Sequence, residues 1–318
     1  MWSKCRAACA ICVLMKGLKQ KLIEYVLNGM GNGNMLFRPP GEAGSVIIRV
    51  AAGCPWNRCD FCGMYKGVKY RFHGLARAEQ EVIKEARECG GLAGRVFLAD
   101  GDVMHLDFPE LEKILLMLNQ NFQGLARVSL YANGASILSK TDDQLRRLRE
   151  LKLHTLYMGL ESGDDPTLKK VHKRETADEM VEAGLRAQAA GLRMSVMVLI
   201  GLAGKEHSLQ HARATAEALN RMQPRLLSAL RLIVTPNTPL AVNGFKMLTE
   251  HEAVAETREM IAGLELSQTV FRADHSSNII PLEARLPRDK ERLLSELDAL
   301  LQSGRLDRKS PGRLPRWL

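Results

Sequence analysis

From residue 45 to residue 234 the sequence alternates short, β-branched apolar runs with longer amphipathic ones, and few folds accept that order. The short runs are residues 45–51, 95–99, 127–131, 154–159, 193–200 and 227–234. Between them, residues 76–89, 109–121, 141–151, 177–190 and 209–222 repeat apolar side chains every three to four positions, the period of a half-buried helix. Parallel strands need a long crossover and a helix supplies it, so the alternation predicts an α/β fold with a parallel sheet covered by helices. Gly90-Gly91 and Gly191 follow the last periodic residue of two helices, where the chain turns left-handed to end a helix. Residues 249–264 and 289–301 predict two further helices, flanking a segment 269–278 that reads as strand or loop. In sheets of this kind ligands bind where strands end and loops to the next helix begin, so function is to be sought just after each strand.

Composition adds boundaries. The 318 residues are 46% hydrophobic and 25% charged, which excludes disordered, collagen-like and disulfide-scaffold classes. The net charge of +9 is not spread evenly. Residues 1–30 and 304–318 each hold five basic residues against one acidic, which leaves +1 for everything between. We read a partly flexible leader over 1–44, a core over 45–240, an extension closing it over 241–303, and a disordered basic tail over 304–318 that contains Pro311, Gly312 and Pro315. Attraction to nucleic acid, if any, would come from these ends and not from the core. No apolar run approaches the roughly 18 residues of a membrane span. The apolar stretch 7–15 is followed by Lys16, Lys19 and Lys21 where a secretion signal would have a small-residue cleavage site. With no secretion signal and an odd count of seven cysteines, the expectation is a reducing, cytoplasmic setting.

Three cysteines carry the strongest chemical signal. Cys54, Cys59 and Cys62 stand in Cys-Pro-Trp-Asn-Arg-Cys-Asp-Phe-Cys, directly after the first strand. Zinc wants a fourth Cys or His, whereas an iron–sulfur cluster can be held by three thiolates with one iron left open to another ligand. A structural zinc with a distant fourth ligand such as His73 or Cys89, or a coincidence of buried thiols, are the alternatives. Cys89 reads as a helix residue, and a second triplet, Cys5, Cys9 and Cys12, as one face of a helical or disordered leader.

The loop, with Phe61 before its last cysteine, resembles the cluster loop of the radical S-adenosylmethionine (SAM) superfamily. That superfamily separates its first two cysteines by three residues, and here four separate Cys54 from Cys59. Cys5, Cys9 and Cys12 have the usual spacing but no strand before them. Further segments follow in order: Ala99-Asp100-Gly101-Asp102 after the second strand, Gly159-Leu160-Glu161-Ser162-Gly163 after the fourth, and Leu199-Ile200-Gly201-Leu202-Ala203-Gly204 after the fifth. Thr235-Pro236-Asn237-Thr238-Pro239-Leu240 is similar to the Elongator-type and oxygen-independent coproporphyrinogen oxidase branch.

The resemblance implies a partial (β/α)6 TIM-type barrel with a helical C-terminal extension, a [4Fe–4S] cluster on Cys54, Cys59 and Cys62, and SAM as cofactor. It assigns Gly101 and Asp102 to the methionine end, Glu161 and Ser162 to the ribose or carboxylate, Gly201 and Gly204 to the adenine side, and Phe61 to a contact through its backbone and ring. The implied chemistry is reductive cleavage of SAM to a 5′-deoxyadenosyl radical that takes hydrogen from a small molecule, with flavodoxin or ferredoxin as reductant. Modification of RNA or another macromolecule, or a non-catalytic iron–sulfur role in electron transfer or redox sensing, are the competing functions. Substrate candidates at the barrel mouth are Tyr131, Asn133, Arg231, His275 and Asn278. His105, His154, His207 and His211 read as surface residues.

Overall fold

All six strand-like runs form parallel strands in the computed structural model of the chain, which describes residues 36–314. The elements in order are β1 (Val46–Arg49), β2 (Ala51–Ala52), β3 (Arg71–Phe72), α1 (Leu75–Glu88), β4 (Arg95–Ala99), α2 (Phe108–Asn121), β5 (Arg127–Tyr131), α3 (Gly134–Leu138) and α4 (Asp142–Glu150). They continue with β6 (Leu153–Glu161), α5 (Asp165–Lys170), α6 (Ala177–Ala189), β7 (Arg193–Ile200), α7 (Ser208–Met222), β8 (Leu226–Arg231), α8 (Pro239–Val242), α9 (Glu250–Gly263), β9 (Thr269–Arg272), β10 (Glu283–Leu286) and α10 (Lys290–Gln302). The main sheet runs β1-β4-β5-β6-β7-β8-β9-β10, and β2 pairs with β3 in a separate antiparallel ribbon.

Alternation along the strands sorts the side chains. On β6, Leu156, Met158 and Leu160 join the large apolar cluster shared with the helices, whereas Tyr157 packs with Phe97, Ala99 and Tyr131 on the other face. Successive strand residues point to opposite faces, so this inner set fills the hollow of the curved sheet. On β8 the same rule puts Leu227 and Ala229, and with them Arg231, on the helix-covered side. Helix ends follow local chemistry: Thr141, Thr176 and Thr249 each close a capping box with the residue three positions on.

The structure adds to the expected architecture at both ends of the core. The segment read as strand or loop forms β9, a seventh parallel strand beside β8, and β10 closes the edge antiparallel to it. Part of the expected leader also packs on the core: Glu42, buried in a short 3-10 turn, accepts hydrogen bonds from Tyr157 Oη at 2.8 Å and from Ser45 Oγ. Cys5, Cys9 and Cys12 lie outside the described residues. The tail from residue 304, expected to be disordered, is hydrogen-bonded up to Gly312. Asp307 N donates to Glu250 Oε2 at 2.9 Å, Glu250 N donates to the Ser310 carbonyl at 3.2 Å, and Arg231 Nη1 donates to the Pro311 carbonyl at 2.6 Å. The free N–H groups at the start of α9 and one buried guanidinium donate to the tail's carbonyls, while the Glu250 carboxylate accepts from its backbone. Among the described residues no helix is long and apolar enough to cross a membrane.

Candidate functional site

The cysteine loop is tied down from several directions. Asn57, at φ 44°, donates from Nδ2 to the carbonyls of Tyr65 at 2.7 Å and Val68 at 3.3 Å, and Lys66 Nζ returns a bond to the Asn57 carbonyl at 3.0 Å. Outside the loop, Trp56 Nε1 donates to the His172 carbonyl at 2.8 Å, Asp60 N to the Val171 carbonyl at 2.9 Å, and Asn237 Nδ2 to the Gly63 carbonyl at 2.9 Å. Thus the chain after β6 and the 235–240 segment after β8 hold the loop in place.

Cys54, Cys59 and Cys62 are free, half-buried thiols. Burial raises all three above the ordinary thiol value, Cys59 to about 12, while backbone N–H groups of Trp56 and Asn57 favour the Cys54 thiolate and that of Met64 favours the Cys62 thiolate. Three such thiols, two of them with amides aimed at them, need a cationic centre to ionise together, and an iron–sulfur cluster would supply one. Among the described residues no group of three His, Cys, Asp or Glu side chains is arranged to hold a single ion. A lone zinc draws all its ligands to about 2.0–2.3 Å of one point, whereas a cluster gives each thiolate its own iron. Cys89, at the end of α1, bonds the Ala86 carbonyl of its own helix.

The turn after β4 abuts this loop. Asp100 is fully buried and accepts from Arg49 Nε at 2.7 Å. A Cβ on Gly101 would lie 2.8 Å from the Tyr65 ring and 3.0 Å from Cys54 Cβ, so only glycine lets the turn approach the first cysteine. Asp102 accepts from Asn133 Nδ2 at 3.1 Å and from Ser136 Oγ through one oxygen, while Oδ1 is buried without a partner. Burial pushes its carboxyl up to about 7. An unpartnered buried acceptor is costly and calls for a donor, and the ammonium group of an amino-acid ligand is one.

Glu161, the last residue of β6, takes φ 62° where the register with β7 shifts. A side chain on Gly159 would overlap its carboxylate. Burial raises the Glu161 carboxyl and the nearby Lys173 cation offsets part of that. Lys173 is itself penalised by burial but held charged by Glu161, Cys59, Glu175 and Cys54. Lys173 is hard to single out from the sequence because it stands in the polar run His172-Lys173-Arg174-Glu175, which resembles a solvated face. Ser162 differs from the expectation of a ligand-facing hydroxyl: its Oγ lies 2.8 Å from His211 Nδ1 and accepts from Asp164 N at 2.9 Å.

The turn after β7, expected on the adenine side, places Gly201 at φ 88° and Gly204 at φ 76°. Its Leu202 packs with Val171, Leu232 and Leu240, and Phe61 from the cysteine loop and Phe245 border the same patch. Turn and cysteine loop therefore share one apolar wall.

The five substrate candidates separate. Tyr131 lies in the inner aromatic set, 5.3 Å from Phe97 and 6.1 Å from Tyr157 between ring centres, and Asn133 reaches Asp102. Arg231 is corrected: its strand parity faces the helices, and its guanidinium is taken by the carbonyls of Ser277 at 2.8 Å and Pro311 at 2.6 Å. His275 bonds Ser277 Oγ at 2.9 Å and Asn278 Nδ2 donates to the Ala229 carbonyl at 2.9 Å, so both serve their own loop and the outer side of β8. Of the histidines read as surface residues, His105 and His207 are exposed and His154 is half-buried, whereas His211 needs correction: it is 1% exposed on α7. His211 shares a helical stripe with Ala212, Thr215, Ala216 and Leu219, a spacing that marks the buried face.

Comparison with known proteins agrees with this geometry. A curated hopanoid C-2 methylase from Rhodopseudomonas palustris (strain TIE-1) is 24% identical over 196 residues, 61% of this chain and 36% of that protein. The heme chaperone HemW of Bacillus subtilis (strain 168) is 24% identical over 192 residues, 59% of this chain and 50% of that protein. This chain thus spans half or less of the curated relatives it matches. In fold it resembles the coproporphyrinogen III oxidase HemN of Escherichia coli, a radical SAM enzyme, with a TM-score of 0.55 and 17% identity over 69% of this chain and 51% of that one. It also resembles the radical SAM methyltransferase TsrM of Kitasatospora setae, with a TM-score of 0.52 and 16% identity over 80% of this chain and 52% of that one. The family model for the radical SAM superfamily matches residues 48–217, more than half of the chain, and includes the cysteine loop and the turns after β4, β6 and β7. This protein belongs to the radical SAM superfamily.

Proposed function

We propose that Cys54, Cys59 and Cys62 hold a [4Fe–4S] cluster, that SAM binds beside it, and that the enzyme acts on a small molecule in the barrel. The observation that carries this reading is the juxtaposition of three half-buried thiols, two of them supported by backbone amides, with the orphan Oδ1 of Asp102 and the Lys173 cation at one end of the sheet. The cluster and SAM, when bound, supply a 5′-deoxyadenosyl radical by reductive cleavage of a carbon–sulfur bond. The chain's own residues orient and enclose. Asp102 accepts from the ammonium of the methionine moiety. Gly101 keeps the turn close to Cys54. Lys173 offers a charge to a ligand carboxylate, Glu161 an acceptor to ribose hydroxyls, and the turn with Gly201 and Gly204 an apolar bed for adenine next to Phe61. Precise placement and exclusion of water are what a protein contributes to chemistry of this kind.

Phe97, Tyr131 and Tyr157 line the hollow below, where Ser129 Oγ is buried without a partner, and this is the substrate side. A flavodoxin or ferredoxin in the cytoplasm would deliver the electron.

Anaerobic reconstitution with iron and sulfide tests the ligand set. Wild type should gain the broad visible absorption of a [4Fe–4S] cluster, and Cys54→Ala, Cys59→Ala and Cys62→Ala should each lose most of it. Full cluster content in all three variants would refute the assignment.

A further inference from the structure

Outside the residues that face the cofactors, a buried polar chain joins two of the turns that should hold SAM. Glu256, on α9, is fully buried and accepts from Gly201 N at 2.6 Å through Oε1 and from Ser208 Oγ through Oε2. His211 Nε2 lies 3.5 Å from Glu256 Oε1. The imidazole also bonds the Leu199 carbonyl at the end of β7, and its Nδ1 meets Ser162 Oγ at the end of β6. Ser162 in turn accepts from Asp164 N, and Gln210 Nε2 donates to Asp164 Oδ1 at 2.7 Å. Glu256 lies beyond residue 217, where the match to the family model stops, so a helix of the C-terminal extension reaches into the wall of the core.

Two features make this more than ordinary core polarity. First, the Gly201 N–H belongs to a residue at φ 88°, on a turn whose Leu202 shares a wall with Phe61. A carboxylate on that amide fixes the plane of the turn. Second, the imidazole spans the two turns, so their mutual position depends on one side chain. Neither residue is exposed enough to touch a ligand, since Glu256 is 0% and His211 1% accessible.

We infer that Glu256 and His211 are positioning residues for SAM: the carboxylate sets the adenine-side turn through the Gly201 N–H, and the imidazole locks that turn to the Glu161–Ser162 end of β6. The inference rests on the proposed SAM site and deepens it by giving the C-terminal extension a part in cofactor affinity.

The test uses the full chain, reconstituted anaerobically and reduced, with SAM titrated against the change it causes in the electron paramagnetic resonance spectrum of the cluster. Iron content and thermal midpoint are measured on the same samples. Glu256→Ala leaves the Gly201 amide without its acceptor and should weaken SAM binding on the order of tenfold at unchanged iron content. Glu256→Gln keeps a carbonyl for that amide and should recover most of the affinity. His211→Ala should weaken binding in the same direction. If Glu256→Ala does not fold, Glu256→Asp, which draws the carboxylate back by one methylene, takes its place with the same expected loss. Unchanged affinity in Glu256→Ala, or equal losses in Glu256→Ala and Glu256→Gln, would overturn the inference. A wild-type cluster whose spectrum ignores SAM would instead overturn the SAM site itself, and the inference with it.

Discussion

Two buried groups with opposed protonation preferences sit side by side at the residue scale. Burial pushes the Glu256 carboxyl up to about 7 and the His211 imidazole down to about 4, so both are neutral when folded at mildly acidic pH. Asp164 faces His211 and favours its charged form, while Ser208 and the Gly201 amide favour the charged form of Glu256. Between the ordinary carboxyl pKa near 4.5 and about 7, the folded chain keeps a Glu256 proton that the unfolded chain releases, so this group's contribution to stability falls as pH rises. Between about 4 and the ordinary 6.5, the unfolded chain carries a His211 proton that the folded chain lacks, so that contribution rises with pH. In wild type the two contributions oppose each other over the shared pH range. Glu256→Gln should therefore show a thermal midpoint that climbs between pH 4.5 and 6.5, and His211→Asn one that declines between pH 4.5 and 7. Parallel profiles in both variants would contradict the neutral pairing. None of this was legible in the sequence. His211 carried a signal in its helical spacing, but its partner Glu256 is 45 residues away on a helix that begins with the polar run Glu250-His251-Glu252.

At the scale of elements, local rules carried far. The expected helix over 209–222 is found as Ser208–Met222 and that over 289–301 as Lys290–Gln302, because apolar period and end signals both act within a few residues. The strands were legible for the same reason. What escaped was set by distant partners: β10 exists because it pairs with β9, and each is only four residues long. The tail escaped likewise, since its Pro311 and Gly312 look like linker residues until Arg231 and Glu250 supply bonds. Its role as a clasp can be measured. Deleting residues 304–318 leaves the Arg231 guanidinium short of an acceptor and should cost about 1–3 kcal/mol of stability, seen as a lower thermal midpoint. An unchanged midpoint would contradict the clasp.

For the whole molecule, the cysteine loop was the legible part of the site and the charge was not informative. The +9 that suggests nucleic acid is concentrated outside residues 31–303, away from the superfamily match at 48–217. The reading of Cys54, Cys59 and Cys62 as one set is supported by a loop tied to β6 and to the 235–240 segment, and by the Gly101 turn that only glycine allows. Substrate residues were harder to see, because strand parity, invisible until the sheet's inner face is known, sends Tyr131 inward and Arg231 outward. The central claim is that this scaffold cleaves SAM, and the most direct measurement is 5′-deoxyadenosine formed after anaerobic reconstitution, reduction with dithionite and addition of SAM. Wild-type protein should form 5′-deoxyadenosine and Cys59→Ala none above background. No product from a wild type that carries its cluster, or equal product from Cys59→Ala, would contradict it.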